Sequence, residues 1–275
     1  MYSFTGRIRF SEVDETGRLS IPAIVDLLQD CSTFQSESLG VGPAHARECG
    51  KAWMLSAWQI EVVGRPAFAS QIRVSTWATA FKGVRASRDF TICDVDDATA
   101  AHPFVRATSS WFLFDSNVGR PIRLPEEEVA PYLPDIEGDE PLGMPRIPRR
   151  ISVEGEGVAA APVTVTGAHL DTNHHVNNAQ YVSLALGALD ELGFSGAYAE
   201  APGAAAPGVD PDAAPASDER PSSLWIDVHY TAAAKLGDVI CPHVHAADGA
   251  TTVSLDGADG KPYAEVRLRR EPREA

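Results

Sequence analysis

At 275 residues the chain is long enough for one large domain or for two of about 100–150 residues each. Hydrophobic residues make up 44% of it, which excludes global disorder. A formal net charge of −15 argues against a general nucleic-acid binder, because phosphate would be repelled. No uninterrupted apolar stretch reaches the length of a membrane span, and Met1–Arg7 lacks the basic-then-apolar pattern of a signal peptide. The expectation is a cytoplasmic protein that binds neither nucleic acid nor membrane. Cys31, Cys49, Cys93 and Cys241 are scattered with no Cys-x-x-Cys pair, so buried reduced thiols are expected rather than disulfides or a zinc knuckle.

Phe4 to Phe10 alternates apolar and polar residues, as a half-buried strand does. After the turn Asp14-Glu15-Thr16-Gly17-Arg18, Ser20 suits a helix cap and Pro22 a first helical turn. Ala23, Ile24, Leu27, Leu28, Cys31 and Phe34 continue at helical spacing until Leu39-Gly40-Val41-Gly42-Pro43 stops the run. Strands are predicted over Trp53–Val63, Gln71–Thr79, Ala86–Cys93 and Val105–Phe114. From about Asn117 to Ala161 prolines recur at 121, 125, 131, 134, 141, 145 and 148, which reads as an extended connector.

The second half repeats this order. A short strand, Val163–Thr166, leads into a turn at Asp171 and a helix from Asn178 to Leu192. Strands follow over Leu224–Tyr230, Val239–Ala246, Thr251–Leu255 and Tyr263–Leu268. Setting Asp171 opposite Asp14 gives an offset of 157 (171 − 14), at which Val176-Asn177 meets Leu19-Ser20 and Val182 meets Val25. One helix with an antiparallel set of strands, occurring twice, is a duplicated α+β unit. The units are 1–118 and 161–275, joined by a proline-rich linker at 119–160. A segment rich in Ala, Pro and Gly at 195–217 interrupts the second unit and is expected to be a flexible surface loop.

The stretch His169-Leu170-Asp171-Thr172-Asn173-His174-His175-Val176-Asn177-Asn178-Ala179-Gln180-Tyr181 carries the chemistry. An acid, a carboxamide and imidazoles open an apolar helix, where free N-terminal N–H groups add further donors. Each residue alone has a structural explanation: Asp171 as a cap, Asn173 as a turn former, His175 as a bonded core residue. Asn177 and Asn178 are expected to cap the helix. Asp14 is expected to be structural, because no Asn or His joins it. The string lacks the helical His pair of zinc proteases and an outlying Cys partner, so no catalytic metal is expected.

With these residues in view, the chain resembles the acyl-acyl carrier protein thioesterases. Asp171-x-Asn173-x-His175-Val176-Asn177-Asn178-x-x-Tyr181 is similar to that family's motif. Phe10-Ser11-Glu12-Val13-Asp14, Leu28-Gln29-Asp30, Ser36-Glu37-Ser38-Leu39-Gly40-Val41-Gly42, Trp53-Met54-Leu55, Thr76-Trp77 and Ala107-Thr108-Ser109-Ser110-Trp111 add support from the first half. The resemblance implies a tandem double hotdog, each half a central helix wrapped by an antiparallel sheet. It implies a cofactor-independent thioesterase that hydrolyses fatty acyl-acyl carrier protein to free fatty acid and carrier thiol. Asp171, Asn173 and His175 are implied as catalytic, and the first domain as the acyl pocket, with Leu27, Cys31, Phe34, Trp53 and Trp58 as its lining. The family's Glu after the second helix is Ala233 here, and Asp227 and His229 share its alternation parity as substitutes. An acidic carrier protein would need a basic patch on this acidic chain; Arg146-Arg149-Arg150 and Arg267-Arg269-Arg270 are the candidates. The alternatives are a hotdog thioesterase or hydratase acting on acyl-CoA, or a non-catalytic acyl-binding protein. A homodimer stays open.

Overall fold

One antiparallel sheet of twelve strands runs through both halves, and a strand pair at its centre makes it continuous. The computed structural model describes residues 1–153, 155, 157–198 and 222–272, so the expected loop at 195–217 lies outside the described residues beyond Tyr198. The first half contains β1 (Tyr2–Arg7), α1 (Ile21–Ser38), α2 (Pro43–Cys49), β2 (Lys51–Val62), β3 (Gln71–Lys82), β4 (Arg85–Asp94) and β5 (Val105–Asp115). The connector holds β6 (Arg120–Ile122), α3 (Glu126–Val129) and α4 (Leu133–Gly138). The second half contains β7 (Val158–Ala159), β8 (Val163–Thr164), α5 (Asn178–Glu191), β9 (Ser222–Tyr230), β10 (Val239–Ala247), β11 (Ala250–Gly257) and β12 (Pro262–Pro272). Their order across the sheet is β1-β3-β4-β5-β2-β9-β12-β11-β10-β7, with β6 beside β5 and β8 beside β10.

The central pair is β2 with β9, antiparallel from Ala57 opposite His229 to Val62 opposite Leu224. Strand alternation sorts their side chains. Trp58, Ile60 and Val62 on β2, with Leu224, Ile226 and Val228 on β9, belong to the buried core that also takes in α1 and α5. Gln59, Glu61 and Asp227 turn to the opposite face.

The two helices form as their sequences dictate. Ser20 caps α1, its hydroxyl accepting from the Ala23 N–H at 3.3 Å, with Pro22 in the first turn. Ile24, Leu28 and Cys31 recur at spacings of four and three and, with Val25 beside them, are fully buried. In α5 the same face is Ala179, Val182, Ala185 and Leu189. Burying one such Leu, Ile or Val contributes about 1.5–3 kcal/mol, which is why the helices hold against the sheet despite modest intrinsic propensity. The helices also touch each other, and the Val25 and Val182 side chains are both fully buried.

Three expectations change. The first strand ends at Arg7, and Phe10 begins a single turn of 3₁₀ helix with its ring 81% exposed. The buried residue continuing the strand pattern is Ile8, so alternation alone overextended the strand. The Leu39–Pro43 stretch does stop α1, at Ser38, but Pro43 also opens a second helix that was not expected, occupying the first turn of α2. A Cβ on the preceding Gly42 would lie 2.8 Å from the Glu37 Cα, so glycine permits this tight passage. The connector is also more than extended chain. Asp135 on α4 accepts from the Gln35 amide at 2.8 Å and the Ala78 N–H at 3.0 Å, and also holds the Met1 amino group at 2.8 Å. Farther on, the Trp77 indole donates to the Glu140 carbonyl at 3.1 Å and the Leu142 N–H to Asp89 at 2.8 Å. Helices of four and six residues bury too little to leave a periodic signal among prolines.

All four cysteines are free; Cys31 and Cys93 are buried, whereas Cys49 and Cys241 are half-buried. No helix of the described residues is long and apolar enough to cross a membrane.

Candidate active site

Leu170 and Val176 pair as an isolated antiparallel bridge and close the turn between them. Across its neck the Asp171 N–H donates to the His175 carbonyl at 2.8 Å, and the His174 N–H donates to the Asp171 carbonyl at 3.1 Å. The Asp171 carboxylate locks the turn from within: Oδ1 accepts from the Asn173 N–H at 2.8 Å and the His175 N–H at 3.2 Å. This is the local bonding that makes Asp a turn former. Its other oxygen, Oδ2, has the Asn173 amide nitrogen at 3.4 Å. Asp171 and Asn173 therefore meet through their side chains, and His175 joins them through its backbone. The His175 ring is half-buried and has no hydrogen-bond partner among the described residues. His174 sits at φ 60°, a left-handed conformation uncommon outside glycine.

The same turn is built in the first half at the offset of 157. The Asp14 N–H donates to the Arg18 carbonyl at 2.9 Å, the Gly17 N–H to the Asp14 carbonyl at 2.9 Å, and Asp14 Oδ1 accepts from the Thr16 N–H at 2.9 Å. The counterpart of His174 is Gly17, at φ 72°. Ser20 and Asn177 close both turns identically, donating to the Glu12 and His169 carbonyls at 2.9 Å. The scaffold is duplicated, but only the second copy carries Asn and His.

Position 233 lies against this scaffold. The Val176 N–H donates to the Ala234 carbonyl at 2.9 Å, as the Leu19 N–H does to the Pro66 carbonyl at 2.9 Å. Ala234 thus corresponds to Pro66, an offset of 168 (234 − 66), and Ala233 to Arg65. The Arg65 guanidinium donates to Asp14 Oδ2. A long side chain at 233 would accordingly reach the Asp171 carboxylate, and Ala233 leaves that edge open.

Two tyrosines brace the turn. The Ala234 N–H donates to the Tyr181 hydroxyl at 2.8 Å, and the Tyr230 hydroxyl donates to the Asn178 carbonyl at 3.1 Å, with ring centroids 5.8 Å apart. Burial pushes Tyr181 up to about 12 and raises Tyr230 well above its ordinary value, so both act as neutral hydrogen-bonding groups. Asn177 caps α5, accepting from the Ala179 N–H at 2.9 Å. Asn178 does not cap: its amide crosses to Gln29 Oε1 on α1 at 2.8 Å, tying the second-half turn to the first-half helix. On that helix, desolvation of the carboxylate by its surroundings and the neighbouring Asp30 and Glu12 raise Asp26 to about 6, although the residue itself is exposed. Gln29 and Tyr230 gave no sequence signal of their contacts with Asn178, which join residues 149 and 52 positions apart.

The other candidates are elsewhere. Cys31 and Trp58 are fully buried and Leu27 nearly so; the Cys31 thiol donates to the Val74 carbonyl at 3.5 Å, and Trp58 packs edge-on to Phe90 at 4.8 Å. Trp53 stands 6.2 Å from Phe81 and 6.4 Å from Tyr132, and the exposed Phe34 packs on Phe4. The Trp53 and Trp58 indole nitrogens are buried without a hydrogen-bond partner. Asp227 is not a substitute for a Glu at 233: it is 2% exposed on the sheet face away from the helices and is bound to Gln59 and Arg269. His229 shares that face, its basicity lowered by burial and by Arg267 and Arg85. Arg269 is committed to Asp227 and Glu271 and stacks on Trp225. Two surface recesses, of about 460 Å³ beside Asp14 and about 480 Å³ at the β10–β11 edge, are lined by none of Asp171, Asn173 and His175.

Residues 1–132 match the family model described as the acyl-ACP thioesterase N-terminal domain. These residues, just under half of the chain, are similar to the N-terminal domain of the acyl-ACP thioesterases. The chain is 28% identical over 189 residues to a chloroplastic acyl-acyl-carrier-protein hydrolase of Cuphea viscosissima, covering 64% of this chain and 44% of that relative. The chain thus spans about half the length of the curated relatives it matches. Two solved thioesterase structures share the fold across nearly the whole chain. An acyl-ACP thioesterase from Bacteroides thetaiotaomicron aligns at a TM-score of 0.76 and 20% identity, covering 98% of this chain and 97% of that one. The 12:0-ACP thioesterase from Umbellularia californica aligns at 0.74 and 17%, covering 99% and 97%. The double hotdog is therefore the architecture of both halves.

Proposed function

We propose that this protein is a cofactor-independent thioesterase that hydrolyses fatty acyl-acyl carrier protein at the 171–175 turn. The observation that carries the reading is the duplicated scaffold, furnished with Asn and His only in its second copy, where the carboxylate edge that Arg65 covers on Asp14 is left open. In this mechanism Asp171 Oδ2 takes a proton from water, and the hydroxide attacks the thioester carbonyl carbon. The Asn173 amide and the His175 ring donate to the oxyanion of the tetrahedral intermediate as preorganised donors, where bulk water would have to reorganise, an advantage worth about 3 kcal/mol per donor. Collapse breaks the C–S bond, and the leaving thiolate recovers the proton held by Asp171.

Leu27, Cys31, Phe34, Trp53 and Trp58 are proposed as the wall of the acyl site in the first domain, reached from the turn across the Asn178–Gln29 contact. Because Leu27, Cys31 and Trp58 are packed closed, entry of an alkyl chain there requires their side chains to move apart. A second reading, acyl-CoA as substrate, is favoured by one observation: Arg269, the centre of one basic cluster, is already spent on Asp227 and Glu271.

Thiol release measured on carrier-protein and CoA thioesters of matched, graded chain length tests the proposal. A higher kcat/KM for the carrier-linked series supports it. Equal or lower rates on that series assign the CoA substrate, and binding of either without thiol release reduces the protein to an acyl-binding one.

A further inference from the structure

His45 and Cys49 stand four residues apart on α2, so their side chains share one face of that helix. Glu128 on α3 of the connector is brought against them, its side chain 3% exposed. One carboxylate oxygen, Glu128 Oε1, lies 3.2 Å from His45 Nε2 and 3.9 Å from Cys49 Sγ, and all three donor atoms fall within 4.8 Å of one another. Hydrogen bonding accounts poorly for the thiol, whose three acceptors stand at 3.7–3.9 Å.

From this triad we infer a zinc site: His45 Nε2, Cys49 Sγ and Glu128 Oε1 bind one Zn²⁺ and clamp the connector to α2. Zinc accepts this mixed nitrogen, sulfur and oxygen set. With Zn–N and Zn–O of about 2.0 Å and Zn–S of about 2.3 Å, a tetrahedral site has N···O edges of about 3.3 Å and S···O edges of about 3.5 Å. The observed N···O and S···O spacings lie within a few tenths of an ångström of these edges, and the N···S pair, within 4.8 Å, closes to its edge of about 3.5 Å by side-chain rotation. Charge balances as well: thiolate and carboxylate neutralise the dication, and the imidazole binds neutral. On binding, the Cys49 S–H bond breaks, its proton leaves to solvent and an S–Zn bond forms, with no change of oxidation state. Lys51, 3.9 Å from Glu128 but 3.1 Å from Glu127, stays with Glu127. The fourth position is left to water on the side where His45 is 35% exposed.

The test is zinc titration of the chelator-treated full chain against a chromogenic chelator, with Co²⁺ as a spectroscopic substitute. One equivalent of tight zinc is expected, together with a Co²⁺ complex showing intense tetrahedral bands and a thiolate charge-transfer band. Cys49→Ser, His45→Ala and Glu128→Gln should each weaken zinc at least tenfold, whereas Cys241→Ser, the other half-buried thiol, should leave it unchanged. Absence of stoichiometric zinc, a Co²⁺ spectrum without thiolate character, or full retention of affinity in Cys49→Ser overturns the site. Should Cys49→Ser not fold, the Co²⁺ spectrum of the Cys241→Ser protein decides alone.

Discussion

Gln59 and Asp227 face each other across the strand pair that joins the two halves, and each is the other's structural equivalent. The strand offset of 168, fixed by Ala234 and Pro66, carries Gln59 onto Asp227, so the approximate twofold axis passes between them. The Gln59 amide donates to Asp227 Oδ1 at 3.2 Å, and Arg269 takes the other oxygen. A buried carboxylate at the axis is held by one neutral and one charged donor. Removing it leaves the Arg269 charge without that partner, so Asp227→Ala is expected to cost about 2–3 kcal/mol, below the fully buried range because Arg269 is 21% exposed. Urea unfolding measures this. Thiol release by the folded fraction should be unchanged, because the side chain points away from the 171–175 turn.

Position 233 offers a sharper test of the duplicated scaffold. Ala233→Arg is expected to reproduce at Asp171 the ion pair that Arg65 makes with Asp14, and so to occupy the oxygen proposed as base. Activity should fall a hundredfold or more while the unfolding midpoint holds or rises. Ala233→Glu places a second acid beside Asp171 and should move the acid limb of the pH–rate profile upward, since like charges raise each other's pKa. An unchanged profile would mean the side chain does not reach.

Tyr181 tests how the turn is held. Its hydroxyl accepts the buried Ala234 N–H, and Ala234 in turn accepts from Val176. Tyr181→Phe leaves that N–H unsatisfied, at a cost of about 1–3 kcal/mol in thermal or urea unfolding. Because the Ala232–Ala234 segment backs the turn, kcat should fall with it more than KM rises.

Asp26 carries a pH prediction. Its folded pKa is raised to about 6, by desolvation first and then by Asp30 and Glu12. Between the ordinary carboxylate value and pH 6 the folded chain binds more protons at this position than the unfolded chain. Stability is therefore lost as pH rises through that window. Asp26→Asn should raise the unfolding midpoint above pH 6 and leave it unchanged near pH 4. The gain will be modest, because solvent reaches the carboxylate.

The duplicated α+β unit was legible because its signals are local and repeated: apolar residues at helical spacing after Ser20 and Asn177, and alternating strands at similar intervals; the double hotdog came from the family resemblance. The elements that escaped, α2 and the connector helices, are seven residues or fewer and bury little. The turn that gathers the candidate residues was also legible, since Asp171, Asn173 and His175 lie within five residues. What no single-sequence pattern reveals is contact between distant segments. Asn178 with Gln29, Arg65 standing where Ala233 stands, and Glu128 beside His45 and Cys49 all depend on how the halves and the connector close. The parity argument for Asp227 failed for a related reason: β9 ends at Tyr230, so alternation does not extend to Ala233.

The central claim is that the Asp171 carboxylate performs the hydrolysis rather than only shaping its turn. Asp171→Asn separates the two, because the amide oxygen still accepts from the Asn173 and His175 N–H groups while the base is gone. Steady-state thiol release from an acyl thioester should show kcat at least a hundredfold below wild type, with KM within a few-fold and the unfolding midpoint retained. A variant that turns over at the wild-type rate would contradict the account.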